Sequence, residues 1–391
     1  MSLCNLRSGA DKTLGVERYV AFRQPVRVRV GADEQEEMAD RPRRFHDDAP
    51  SSSRRQVLKA GAALATLPII AATSAAVQAA ENQTTNGAIM TDANSEDFIN
   101  GMADLMAHST RTPILRWPHE YGMDYEEIFF PAMDGVTIEG WFIPAASDRL
   151  LIFNHPMPCN RYGYPGHLEP WTNFGGFEVN FLPEYKLLHD AGYNIITYDM
   201  RNHGRSGMGS GGVNGHGVLE YRDVIGSLRY AKSRPDTKDM KTALYSRCLG
   251  ANATIVGMKK HPEEFKHIKA MIALQPVSPS VFVQTAVENQ KIANGLERFD
   301  TAFHKRTGFH LADVWPMEYA RAVTVPTLVA QVRNDFLTEP SNVQEIYETI
   351  SSQDKKLFWI EGTDQRFEGY NYFGKNPQLV LDWFSSHFGE A

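Results

Sequence analysis

The chemistry in this chain is concentrated at a few positions. Ser246-Arg247-Cys248-Leu249-Gly250 stands where an apolar run, Thr242-Ala243-Leu244-Tyr245, gives way to a helical stretch beginning Ala251-Asn252-Ala253. A cysteine that opens a helix sits at the positive end of the backbone dipole, which favours the thiolate, and Arg247 adds a neighbouring cation. A thiolate there can attack a carbonyl carbon. The same short pattern also fits a buried structural cysteine, the usual state of a lone thiol. Cys159 follows His155 by four residues. If their loops meet, Cys159 is a redox partner for Cys248, and a disulfide between the two would block the nucleophile. With Cys4 these are the chain's 3 cysteines, too few for a disulfide-scaffolded fold.

The elements that must position these groups read as short strands separated by helices. Residues 126–130 and 136–143 flank Asp134-Gly135, a hairpin turn signal. Further apolar runs lie at 150–153, 194–199, 242–245, 268–274, 326–332 and 357–360, with helical patterns at 183–191, 217–233, 249–259, 341–351 and 377–388. Buried strands alternating with amphipathic helices predict an α/β fold: a mostly parallel sheet covered on both faces, with an antiparallel hairpin at one edge. Residues 279–322 break the alternation with a helical insertion carrying Phe282, Phe299, Phe303, Phe309 and Trp315, the expected place for a cap over the strand ends.

Over residues 123–391 the chain resembles the α/β-hydrolase superfamily, and its cysteine resembles that of the dienelactone-hydrolase-like members. The resemblance implies an eight-stranded, mostly parallel sheet with helices on both faces and a small helical cap. Ser246–Gly250 matches the Gly-x-Ser-x-Gly turn that presents the nucleophile, with Ser246 in place of the first glycine and Cys248 in place of serine. Tyr198-Asp199-Met200-Arg201-Asn202-His203-Gly204-Arg205-Ser206-Gly207 resembles the family's Asp-x-Arg-x-His-Gly-x-Ser loop, in which His203 is a packing residue. Asn154-His155-Pro156-Met157 resembles its oxyanion segment. Pro156 has no N–H, so the implied donors are the amides of Met157 and Leu249, each worth roughly 3 kcal/mol in related chemistry. Asp335, after the penultimate strand, is the implied acid; an exposed turn or helix-capping aspartate is the plainer alternative.

The family's histidine is missing. Its loop reads Glu361-Gly362-Thr363-Asp364-Gln365-Arg366-Phe367-Glu368, and Gln365 or Arg366 occupies the histidine's place. That histidine normally takes the nucleophile's proton and later activates water. A thiolate dispenses with the first task more easily than with the second. His155, His203, His216 or His310 could supply the missing group from another loop. Asp364 or Glu368 could act as base, with Arg366 holding an anionic substrate. His387 belongs to the terminal helix. The implied activity is hydrolysis of an ester, lactone or thioester through Cys248. A non-hydrolytic protein on the same fold (a binder, a pseudoenzyme or a lyase) and a redox-responsive protein using Cys159 and Cys248 are the rivals.

The formal net charge of −7 becomes more negative once the N-terminal residues are set aside, so there is no basic footprint for nucleic acid. No pattern for a metal or nucleotide site occurs, and no cofactor is expected. The expected ligand is a small molecule, apolar or ring-containing, because Tyr162, Tyr164, Trp171, Phe174, Phe177 and Phe181 follow the oxyanion segment; these aromatics equally suit the packing of a long loop. Residues 1–79 read as an N-terminal extension and twin-arginine export signal, 80–122 as a segment packing on the core, and 123–391 as the α/β-hydrolase-like domain with its cap insertion at about 279–322. Ser53-Arg54-Arg55-Gln56-Val57-Leu58-Lys59, followed by an Ala-rich apolar run, resembles a twin-arginine signal. It implies handling by the twin-arginine export machinery and a periplasmic or secreted location. Met38 lies at a more usual distance from the arginine pair than Met1 does.

Overall fold

The computed structural model describes residues 92–389 and the backbone pair Arg27–Val28; the signal-like segment lies outside the described residues. Eight strands follow in order: β1 Tyr125–Pro131, β2 Thr137–Ile143, β3 Arg149–Asn154, β4 Asn194–Tyr198, β5 Lys241–Arg247, β6 Ile268–Leu274, β7 Thr327–Val332 and β8 Lys355–Ile360. Across the sheet they run β1-β2-β4-β3-β5-β6-β7-β8, and Arg27–Val28 pairs antiparallel with β1 as a two-residue ninth strand. β1 and β2 are antiparallel; β3 to β8 are all parallel. The β1–β2 hairpin turns at Asp134-Gly135, where Gly135 has φ 87° and the Ala132 N–H donates to the Val136 carbonyl at 2.8 Å.

Helices cover both faces. They are α1 Asp92–Ala107, α2 Leu182–Asp190, α3 Tyr221–Ser233, α4 Leu249–Lys260, α5 Pro279–Asn289, α6 Gly295–Thr307, α7 Met317–Ala320, α8 Pro340–Thr349, α9 Arg366–Gly369, α10 Tyr372–Lys375 and α11 Gln378–Phe388. On one face Val224 of α3, Ile255 of α4 and Ile346 of α8 share a core with Ile152 and Ile196 of the sheet. On the other, Tyr185 of α2 and Phe384 of α11 pack on Leu151, Ala243 and Ile272. Two cores on a parallel sheet explain why the central strands read as unbroken apolar runs. α3 begins at Tyr221 rather than 217, because residues 215–219 form a tight turn held by Glu220.

Strand register is what brings the chemistry together. Asn154 at the end of β3 lies opposite Ser246 of β5, Arg247 opposite Leu274 of β6, and Val332 of β7 opposite Ile360 of β8. The loops bearing residues 155–157, 248, 335 and 361–366 therefore leave the sheet at one end. Inserted between β6 and β7 are α5, α6 and α7, of which α5 brings Pro279 and Phe282 to the pocket at that end. α1 joins them: Arg306 of α6 pairs with Asp104 at 2.6 Å and Arg298 with Glu96 at 2.8 Å.

Candidate active site

Cys248 joins β5 to α4 with φ 45° and ψ −107°, a conformation costly for a residue with a Cβ, by about 1–3 kcal/mol. Its N–H donates to the Leu274 carbonyl at 2.9 Å, and its carbonyl accepts the Asn252 N–H at 2.9 Å. Gly250 is required by contact: a Cβ there would lie 2.4 Å from the Asn154 carbonyl oxygen. Ser246 is tolerated in the first small-residue position because its hydroxyl has partners, Asn154 Nδ2 at 2.8 Å and Thr254 Oγ1 at 2.9 Å. Beside the sulfur lies a small cavity of about 70 Å³, with walls that include Met157, Leu249, Asn252 and Arg366 and aromatic faces from Phe174 and Phe282. No described acceptor takes the N–H of Met157 or Leu249.

The oxyanion segment is fixed from below. Buried Asp199, the first residue of the Asp-x-Arg-x-His-Gly-x-Ser loop, accepts the Arg161 N–H at 2.8 Å, the Arg161 Nη2 at 2.9 Å and the Arg205 N–H at 2.7 Å. Gly204, with φ 44°, leaves room for that carboxylate; a Cβ would sit 2.1 Å from Asp199 Oδ2. The long match in this loop is thus structural, as expected for His203.

The histidine's place is taken by Arg366. Its Nη1 donates to Asp335 Oδ2 at 2.8 Å and its Nη2 to the Gln275 carbonyl, all of it buried. Asp335 also accepts from Gln331 Nε2 at 3.0 Å and Thr338 Oγ1 at 2.8 Å, so it is a buried, hydrogen-bonded carboxylate rather than an exposed turn residue. Burial alone would lower the Arg366 pKa; the fields of Tyr370, Cys248 and Asp335 outweigh it and raise the value. A guanidinium gives up no proton at functional pH, so Arg366 is a fixed cation and not a base. Tyr370 also lines the cavity, and burial first, with Cys248 adding, pushes its phenol well above the ordinary value.

Arg247 is not the cation beside the sulfur. As the last strand residue it points to the α2 face, where it pairs with Glu184 at 2.6 Å between the rings of Tyr245 and Phe181. Asp364 and Gln365 are turned away: Gln365 Nε2 donates to Asp364 Oδ1 at 3.2 Å, and both line a separate cavity of about 1400 Å³ with Glu368. Of the aromatics after His155, Phe174 lines the Cys248 cavity while Tyr162 and Phe181 are packed in the core. Of the cap aromatics Phe282 lines it; Phe299 and Phe303 are buried and Trp315 faces solvent.

The histidines divide clearly. His155 accepts the Met200 N–H on Nε2 at 2.8 Å and its Nδ1 faces the Pro156 carbonyl at 2.9 Å; burial lowers its pKa to about 4. His203 is buried against the Arg201 carbonyl and Ser109, and burial, then His155, lower its pKa to about 3. His310 pairs with Asp300 and His387 with Asp354, away from the cavity. His216 alone among them borders the Cys248 cavity. Cys159 and Cys248 are both free thiols, and Cys159 is wholly buried; burial first, with Cys248 adding, raises its pKa well above the ordinary thiol value.

Strand order, elbow and the convergence of loops at one sheet end define the α/β-hydrolase fold, and this chain has it. The esterase Pf2001 of Pyrococcus furiosus overlays with a TM-score of 0.55 at 21% identity, covering 73% of this chain and 99% of that one. A dienelactone hydrolase from Anabaena variabilis overlays more loosely, with a TM-score of 0.44 at 15% identity over 67% of this chain and 98% of its own. At 21% identity the likeness to the esterase is one of fold. In sequence, an uncharacterized protein of Salmonella typhimurium, YfhR, is 27% identical over 133 residues, 34% of this chain and 40% of YfhR. The chain thus spans less than half the length of the curated relatives it matches. No protein-family model matches it.

Proposed function

We propose that this chain is an exported enzyme that cleaves an ester, lactone or thioester of a small apolar or ring-bearing acyl group, with Cys248 as nucleophile. The observation that carries the reading is the strained Cys248 elbow opening onto an apolar cavity beside the Arg366–Asp335 pair. Arg366 is a fixed cation lining the same cavity as Cys248. Attack of the Cys248 sulfur on the carbonyl carbon sends an electron pair to oxygen, where the amides of Met157 and Leu249 receive it. Collapse breaks the bond to the leaving oxygen or sulfur, which departs as alkoxide or thiolate and takes a proton from solvent, and leaves an acyl group on the Cys248 sulfur. Asp335 holds Arg366 in place. Hydrolysis of p-nitrophenyl esters of graded chain length by wild type and Cys248→Ala tests this. Turnover of the short esters is expected and should vanish in Cys248→Ala; turnover that survives the substitution sinks the assignment.

A second reading has its own support. Arginine in the place of histidine favours a protein that binds an anion, or transfers an acyl group, without hydrolysis. Arg366→His should then leave ester turnover at background, whereas a gain would speak for a hydrolytic scaffold. Export rests on the twin-arginine pattern, and N-terminal sequencing of the periplasmic or secreted protein tests it.

A further inference from the structure

An arginine beside the nucleophile leaves the second half of the reaction without a proton acceptor, and the cavity holds another candidate. Its titratable lining residues are Cys248, Arg366, Tyr370 and His216. Arg366 is a permanent cation, and Tyr370 is held as a phenol. His216 is the remaining group, and its surroundings are built around it. Its Nε2 donates to the Met106 carbonyl at 3.0 Å, which assigns the proton to Nε2 and leaves Nδ1 as a lone pair; no described residue donates to that atom. Buried Glu220 clamps the backbone on either side, one oxygen accepting the Gly215 N–H at 2.8 Å and the other the Gly217 N–H at 2.8 Å. Between the two clamps His216 is held at φ 48°, a strained value for a residue with a Cβ. Gly217 packs on the first turn of α4, where a Cβ would lie 2.9 Å from the Asn252 carbonyl carbon. Asn252 Nδ2 reaches the His216 carbonyl at 3.5 Å. His216 therefore borders the cavity from the α4 turn that Cys248 opens.

We propose that His216 is the base that activates water to release the acyl group from Cys248, standing in from the β4–α3 loop for the family's absent histidine. The inference rests on the nucleophile reading above. In the step, a water oxygen bonds to the acyl carbon as one of its protons passes to His216 Nδ1, and the carbonyl π pair moves to oxygen. Collapse then breaks the C–S bond, leaves the electron pair on sulfur as thiolate facing Arg366, and frees the carboxylic acid. The imidazolium returns its proton to solvent. Burial lowers the His216 pKa, opposed by the Glu220 carboxylate, so the ring is neutral near neutral pH and its Nδ1 lone pair is available. Arg366, Cys248 and Tyr370 are the other ionising groups that line the cavity with it.

Stopped-flow mixing of the full chain with p-nitrophenyl acetate, followed by intact mass and peptide mapping, separates the two readings. In His216→Gln the burst of p-nitrophenolate is expected to match wild type. The steady rate should fall by about a hundredfold, and acetyl-Cys248 should accumulate. Added imidazole should restore the slow phase of His216→Ala without changing its burst, a rescue that a purely structural role does not give. A His216→Gln protein with wild-type steady turnover, or one that keeps its melting temperature yet loses the burst, overturns the assignment. Should His216→Gln fail to fold, His216→Asn and the imidazole arm decide it on the same terms. A burst of p-nitrophenolate that survives in Cys248→Ala removes the nucleophile reading, and this inference with it.

Discussion

Gly250 shows how little freedom the turn at Cys248 leaves. Replacing it with alanine puts a methyl group 2.4 Å from the Asn154 carbonyl oxygen, against backbone that cannot step aside. Gly250→Ala is expected to cost about 2–4 kcal/mol in urea unfolding and to abolish ester turnover. Arg366 is a different case, since it holds a buried carboxylate and not only a substrate. Arg366→Ala leaves Asp335 buried without its cation and should cost about 3–5 kcal/mol. Arg366→Lys is expected to recover little of this, because one ammonium cannot span Asp335 and the Gln275 carbonyl as the guanidinium fork does. Unfolding curves of the two variants check both statements; a lysine variant as stable as wild type contradicts the second.

At the scale of elements, the roof over the cavity is shared. The insertion between β6 and β7 gives Pro279 and Phe282 to the wall, and α1 gives Leu105 and Met106. The two are pinned by ion pairs at partly exposed side chains, which contribute little to stability. Arg306→Ala is expected to change stability by less than about 1 kcal/mol yet to speed iodoacetamide labelling of Cys248, read by mass spectrometry. Strand and helix positions were legible in the sequence because a parallel sheet buried on both faces writes itself as apolar runs. The elbow was legible because a turn this tight demands small residues at fixed offsets. What joins Arg366 to Asp335, or His216 to Met106, was not. These are contacts across 31 and 110 residues, and a single sequence carries no periodic sign of them. Arg247 misled for a simpler reason. Adjacency in sequence to Cys248 suggested that the Arg247 charge would serve the sulfur, but its guanidinium is taken up by Glu184 between the rings of Tyr245 and Phe181.

The whole molecule carries a pH liability in its buried imidazoles, His155 and His203 among them. His155 and His203 are edge-on neighbours, 5.0 Å between ring centroids, held neutral with pKa values near 4 and 3. Unfolded, each titrates near 6.5. Between those limits the unfolded chain binds protons that the folded chain excludes, so stability is intact above about pH 6.5 and declines as pH falls through 4 toward 3. Urea midpoints measured from pH 7 to pH 4 should fall, and the fall should be shallower in His155→Gln than in wild type, by about a kcal/mol or more at the acid end. An unchanged slope would contradict the neutral assignment. Any comparison of activity across pH must therefore be made above this range, where the fold itself is constant.

Catalysis by Cys248 requires its sulfur to be open to a ligand, while the other described thiol, Cys159, is sealed in the core. Iodoacetamide labelling of the folded protein, with peptide mapping and ester turnover followed in the same samples, tests this directly. Within the described residues, the predicted result is alkylation of Cys248, not Cys159, with activity lost in proportion to Cys248 modification. Full activity in protein whose Cys248 is completely alkylated would contradict it.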